Sequence, residues 1–288
     1  MIEQTFLHLP GVGSKTESRL WQVGYRSWAK LREALSNGLR PRDLFNPRQT
    51  EQKVFFPVPY GTRLDKRCAV WLDALEESEQ ALREQHFAYF LERLNSRNYW
   101  RVLAPFLDAA LYLDIETTGL TKDLNYVTVI GALKGNRFYQ WVWPEPLDLL
   151  KELIHQAPLV VTFNGARFDI PFLRHQAAEI PAPRAHVDLL YLARAAGHAG
   201  GQKGVEEQLG LTRPAEVQGI KGKEAVALWC NALCGDRASF RQLLRYNETD
   251  VAMLPRLAAE LCKKLAGGLG PDASAGRATV PASSRTQG

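Results

Sequence analysis

Between positions 111 and 120 the chain reads L-Y-L-D-I-E-T-T-G-L, an apolar run that carries two carboxylates, Asp114 and Glu116, one residue apart. Leu111, Leu113 and Ile115 alternate with Tyr112, Asp114 and Glu116, which is the period of a β-strand. Residues at i and i+2 of a strand share a face, so both acids point the same way. Burying two bare carboxylates is costly, and a divalent cation is the simplest reason to keep both ionised inside a fold. The competing reading puts them on the solvent face of an edge strand. Thr117, Thr118 and Gly119 then turn the chain and expose the strand end.

The β period continues downstream. Asn125 to Leu133 and Arg137 to Trp143 form two more β-rich runs joined through Lys134-Gly135-Asn136, giving a three-strand antiparallel meander. Leu147 to Gln156 reads as a helix, Leu159 to Phe163 as a short buried strand, and helices occupy most of residues 168 to 264. Strands followed by strand-helix alternation predict an α/β mixed sheet flanked by helices. A small all-helical region comes first. Lys15 to Val23 reads as a helix closed by Gly24, and Ser27 can cap a second one carrying Trp28 and Leu31. Asp65 to about Leu94 shows a long helical stripe through Trp71, Leu75, Leu82, Phe90 and Leu94. The expected division is a hairpin module at 1–48, a helical arm at 49–108, the α/β domain at 109–265 and a disordered tail, rich in Gly, Ser and Pro, at 266–288.

With 45% hydrophobic and 23% charged residues over 288 positions, a wholly disordered chain, a collagen-like fibre and a disulfide-dense miniprotein are excluded. The net charge of +5 leans mildly toward polyanionic partners and fits a basic protein without any equally well. Cys230 and Cys234 form one C-x3-C pair with no His or second pair to complete a zinc site, so Cys68, Cys230, Cys234 and Cys262 read as reduced thiols. No apolar stretch approaches ~20 residues, and the start lacks a basic segment leading into an apolar run. A soluble, cytoplasmic protein without membrane partners is expected.

Two further acids stand in suggestive places. In V-T-F-N-G-A-R-F-D-I-P-F-L, a β-run stops at Asn164-Gly165 and Asp169 starts a helix, where a lone acid is also favoured by the helix dipole. In L-R-Y-N-E-T-D-V-A-M-L, Tyr246 and Asp250 are four apart and share one helical face.

In this order, D-x-E-T-T-G-L, N-G-x-x-F-D-x-x-F-L and Y-x-x-x-D resemble the three motifs of the DEDD 3′-to-5′ exonucleases, in the subclass whose third motif carries tyrosine. The segments His186-Val-Asp188-Leu, Gly200-Gly201-Gln-Lys203-Gly204-Val-Glu206 and Ala225-Val-Ala-Leu228-Trp229, with the opening Leu9-Pro-Gly-Val-Gly-Ser-Lys-Thr-Glu, are similar to the bacterial YprB-like ribonuclease H-like proteins. The likeness covers about residues 5 to 262. It implies an RNase H-like fold with Asp114, Glu116, Asp169 and Asp250 as metal ligands and Tyr246 positioning the attacking water. The activity implied is 3′-to-5′ exonucleolytic hydrolysis, on single strands or on the 3′ ends of duplex DNA, with DNA favoured and RNA admitted. A structure-specific endonuclease, or an inactive nucleic-acid-binding protein on the same fold, is the alternative.

Four carboxylates suit two divalent ions that activate a water and offset charge on the phosphoryl group. Hard oxygen ligands without His or Cys favour Mg²⁺ or Mn²⁺. Tyr246, with an ordinary pKa of ~10, suits a hydrogen-bonding role better than that of a proton acceptor. Asn164 is a substrate contact or a turn former, and Lys203 a phosphate contact or an ordinary exposed lysine. Asp188 is expected to cap the helix Leu189 to Ala196, with His186 a structural neighbour. Pro10-Gly11-Val12-Gly13-Ser14-Lys15-Thr16 resembles the helix-hairpin-helix of DNA-binding proteins, in which Gly11 and Gly13 let backbone amides approach a phosphate and Lys15 adds charge. Its first helix must be short, and the motif also serves as a packing or protein-contact element.

Overall fold

The computed structural model describes residues 2–40, 66–220 and 222–268. The chain divides into two compact units, residues 1–77 with 266–288 and residues 78–265. The boundary expected near residue 48 and the tail beyond 268 lie outside the described residues.

In the N-terminal unit, a 3-10 turn at Ile2–Gln4 leads into α1 (Ser14–Gln22) and α2 (Trp28–Ser36). Ser27 caps α2 by accepting from the Lys30 amide at 3.3 Å, as its position predicts. Glu17 of α1 is buried and accepts from the Phe6 amide at 2.7 Å. The indoles of Trp28 and Trp71 donate to the carbonyls of Thr5 and Pro10 at 2.7 and 3.0 Å. Trp71 lies in α3 (Lys66–Arg83), within which the two units meet in sequence.

The single long helix expected through Leu94 is broken. The chain leaves α3, Gln85 takes a positive φ of 53°, and α4 (Ala88–Arg93) begins afresh. Leu75 and Phe90 of that stripe are nevertheless fully buried, so apolar period alone cannot distinguish one helix from two with a tight corner. A 3-10 turn and the one-turn α5 (Trp100–Leu103) lead to the sheet.

Among the described residues the sheet holds β1 (Leu111–Thr117), β2 (Val127–Lys134), β3 (Arg137–Val142), β4 (Val160–Thr162) and β5 (His186–Asp188), in the order β3-β2-β1-β4-β5. The first three strands pair antiparallel as expected, and β4 and β5 add in parallel. This is a mixed sheet flanked by helices, an RNase H-like fold with a helical region before it. β1 is central, which removes the edge-strand reading of Asp114 and Glu116.

One face of the sheet, with Leu113, Ile115, Ile130, Ala132 and Trp141, packs under α6 (Asp148–Gln156) and α7 (Asp169–Gln176). After α8 (Leu189–Ala195) and α9 (Gln202–Gln208), the other face receives α10 (Gly222–Leu233) and the 31-residue α11 (Arg237–Gly267). There Val129 packs with Trp229, Leu243 and Tyr246. No described helix is long and apolar enough to cross a membrane, and no disulfide joins the cysteines among the described residues.

Candidate active site

Asp114 and Glu116 face Gly131 and Val129 across the β1–β2 ladder, on the side covered by α11. The register slips between Glu116 and Thr117, a bulge of the kind that aims side chains at the end of a strand. Gly131 lets the helix come close. A Cβ there would stand 2.4 Å from Asn247 Oδ1 and 2.7 Å from Val251 Cγ2. Fully buried Asn247 donates to Asp114 Oδ2 at 3.2 Å and accepts from Gln140 at 3.1 Å. The same close approach delivers Tyr246 and Asp250.

Carboxylate oxygens of Asp114, Glu116 and Asp250 all lie within 4.8 Å of one another. Asp169 stands outside that trio, at the first position of α7 and 3% exposed. Its charge still acts on Asp114 and Glu116. Asp169 is held by the turn before it. Asn164 adopts a φ of 65°, a conformation Asn tolerates better than most residues. At Gly165 any Cβ would collide with Thr162 Oγ1, 2.2 Å away. Asp188 does more than cap α8, where it accepts from the Leu190 amide at 3.0 Å. It also accepts from the Asn164 and Ala166 amides at 2.7 and 3.1 Å, tying the turn to β5. Asn164 thus forms the turn, while His186 bonds Thr162 at 2.8 Å as a structural neighbour.

Burial, then the charges of Asp250, Glu116 and Asp169, hold Asp114 well above the ordinary carboxylate range, and burial with Asp250 does the same to Glu116. Asp169 is pushed up to about 7, chiefly by burial, against the pull of its own amide and that of Ile115. Asp250 is raised less, since Arg213 and Lys203 oppose its desolvation. Such a group of crowded carboxyls fits a hard divalent cation, which would favour the ionised forms and release their protons.

Lys203 is no ordinary exposed lysine. Its ammonium donates to the Tyr246 hydroxyl at 2.5 Å, lies 4.1 Å from the centre of that ring, and also donates to the Ile220 carbonyl. Burial lowers its pKa. Burial, the nearby carboxylates and a hydrogen bond with Asp250 raise the pKa of Tyr246, so its hydroxyl stays protonated.

Arg213 carries no motif or periodicity that would single it out in the sequence. This side chain, 9% exposed, binds Glu206 through Nε and Nη2 at 2.5 and 2.8 Å and reaches Asp250 Oδ1 through Nη1. Gln202 donates to Glu206 and to the Asp250 carbonyl, both at 2.9 Å. A signal existed for Asn247, three residues before Asp250 on the helix, but none for Arg213 in its aperiodic loop. Gly11, Gly13 and Lys15 belong to the N-terminal unit: Gly11 at a φ of +74°, Gly13 as the extended cap of α1, Lys15 exposed on its first turn.

The model of the RNase_H superfamily matches residues 111–262, more than half of the chain, and the chain belongs to that superfamily. Among solved structures, a nuclease in its apo form is similar at 20% identity and a TM-score of 0.42, covering 56% of this chain and 75% of its own. NrnC of Brucella melitensis is similar at 20% identity and a TM-score of 0.41, covering 57% and 76%. The family B DNA polymerase of the archaeon Pyrobaculum calidifontis is similar at 18% identity and a TM-score of 0.43, covering 54% of this chain and 24% of the polymerase. No curated protein matches.

Proposed function

We propose that this member of the RNase_H superfamily is a metal-dependent 3′-to-5′ exonuclease of the tyrosine-bearing DEDD subclass, YprB-like in its motifs. The observation that carries the reading is the trio of carboxylate oxygens from Asp114, Glu116 and Asp250, with Asp169 close enough for its charge to act on Asp114. A phosphodiester anion cannot approach so many carboxylates unless cations neutralise them first. Asp114, Glu116, Asp169 and Asp250 would hold two divalent ions, Mg²⁺ or Mn²⁺. Bound there, the ions would supply acidity for a water and positive charge for the phosphoryl oxygens.

The remaining work falls to the chain. Tyr246 keeps its proton, so its hydroxyl orients a water rather than deprotonating it. Lys203 fixes that hydroxyl and offers charge beside the site, where an incoming phosphate oxygen could compete for its ammonium. The turn at Asn164 and Gly165 keeps Asp169 at the mouth of α7. Gly11, Gly13 and Lys15 are proposed as a sequence-independent phosphate contact of helix-hairpin-helix type, with DNA favoured over RNA.

Digestion of matched single- and double-stranded DNA and RNA, labelled at the 5′ end, tests the reading. A ladder shortening from the 3′ end in Mg²⁺ or Mn²⁺, lost in chelator, is expected. A discrete internal cut points to an endonuclease, and binding without hydrolysis to an inactive scaffold.

A further inference from the structure

We infer that Arg213, locked by Glu206, is a positioning residue that fixes the Asp250 carboxylate in the orientation completing the trio with Asp114 and Glu116. The inference rests on that trio holding a divalent cation.

The guanidinium is used up in a specific way. Two of its nitrogens engage both oxygens of Glu206, which is 1% exposed, and the third reaches Asp250 Oδ1. A planar fork held at two points has no freedom to rotate, so the N–H groups of Nη1 point in fixed directions. That geometry sets the rotation of the Asp250 carboxylate, with the hydrogen bond from the guanidinium falling on Oδ1. Gln202 adds a second tie, bonding the Glu206 carboxylate and the Asp250 carbonyl together. The loop after α9 is thus bound to α11 at the residue that the helix contributes to the trio.

Two other roles for Arg213 predict different behaviour. As a placeholder that a metal ion displaces, it would have to leave Glu206 as well, stranding a buried carboxylate without its partner. As a mere neutralising charge, its removal would make the site more negative and tighten its hold on a dication. Positioning predicts the opposite sign, because a carboxylate free to rotate is a poorer ligand.

Mn²⁺ binding to the metal-free full-length protein, measured by calorimetry, separates these. In Arg213→Met the dissociation constant should rise about 10-fold or more, the scale of loss when a partner behind a metal ligand is removed. Arg213→Lys, which keeps the charge but not the fork, should recover part of the loss. Because Arg213→Met leaves Glu206 unpaired and is at risk of unfolding, the double variant Glu206→Leu/Arg213→Met removes the buried pair together. It should fold and show the same weakening. Unchanged or tighter Mn²⁺ binding in the folded single or double variant overturns the positioning role. If the wild-type protein takes up no Mn²⁺, the metal site itself falls, and the inference with it.

Discussion

The Lys203 ammonium donates to the Tyr246 hydroxyl at 2.5 Å while lying 4.1 Å from the centre of the same ring. The lysine therefore holds the ring and the hydroxyl by separate interactions, and the two can be separated by mutation. Tyr246→Phe keeps the ring beneath the ammonium and deletes only the oxygen. Turnover should fall ~10²-fold or more with substrate affinity little changed, if the hydroxyl acts on the attacking water. Single-turnover rates at saturating metal check this, and a Phe variant of equal rate makes Tyr246 structural.

Gly131 stands where α11 presses on the sheet, and Gly131→Ala would drive a methyl group into Asn247 and Val251. Overpacking of this kind costs about 1–3 kcal/mol. In a unit of this size each kcal/mol appears as a Tm loss of about 2–4 °C. Activity should fall further than stability, since the displaced helix carries Tyr246 and Asp250 away from Asp114. Calorimetry together with a rate measurement tests both halves.

That close approach also shows what the sequence could and could not reveal. The strand period placed Asp114 and Glu116 on one face, and helical spacing placed Tyr246 with Asp250, because both signals are local and repeat along the chain. Gly131 looked like any glycine in a β-run, since its reason lies in Asn247, far along the chain. Arg213 was hidden for the same cause: its partners Glu206 and Asp250 meet it only through the fold. The corner at Gln85 was invisible because no Gly or Pro marks it.

Asp169 gives a pH signature. Its carboxyl is raised to about 7 in the folded state against 3.8 as an ordinary Asp. Between those values the native state binds the proton that the unfolded chain has lost, so this residue's contribution to stability falls as pH rises through the window. Asp169→Asn cannot titrate. The Tm of the metal-free wild type, relative to that variant, should therefore decline from pH 5 to pH 8. A difference independent of pH would remove the buried-carboxyl account of Asp169.

Lys15 tests the hairpin. Lys15→Ala should weaken nucleic-acid binding similarly across sequences and make the slope of log affinity against log salt shallower by roughly 0.7–0.9. A folded variant with unaltered affinity and slope assigns the hairpin to packing or partner docking.

Asp114 and its neighbours are proposed to form a metal site that hydrolyses phosphodiesters, and Asp114→Asn tests this with the least disturbance. The substitution keeps an acceptor for Asn247 and removes one of the crowded charges. The variant should therefore melt no lower than wild type without metal. Hydrolysis of a 5′-labelled oligonucleotide should be rapid for the wild type in Mn²⁺, absent in chelator, and abolished in Asp114→Asn at every metal concentration. Full hydrolysis by the variant, or none by the folded wild type in either Mg²⁺ or Mn²⁺, would contradict the account.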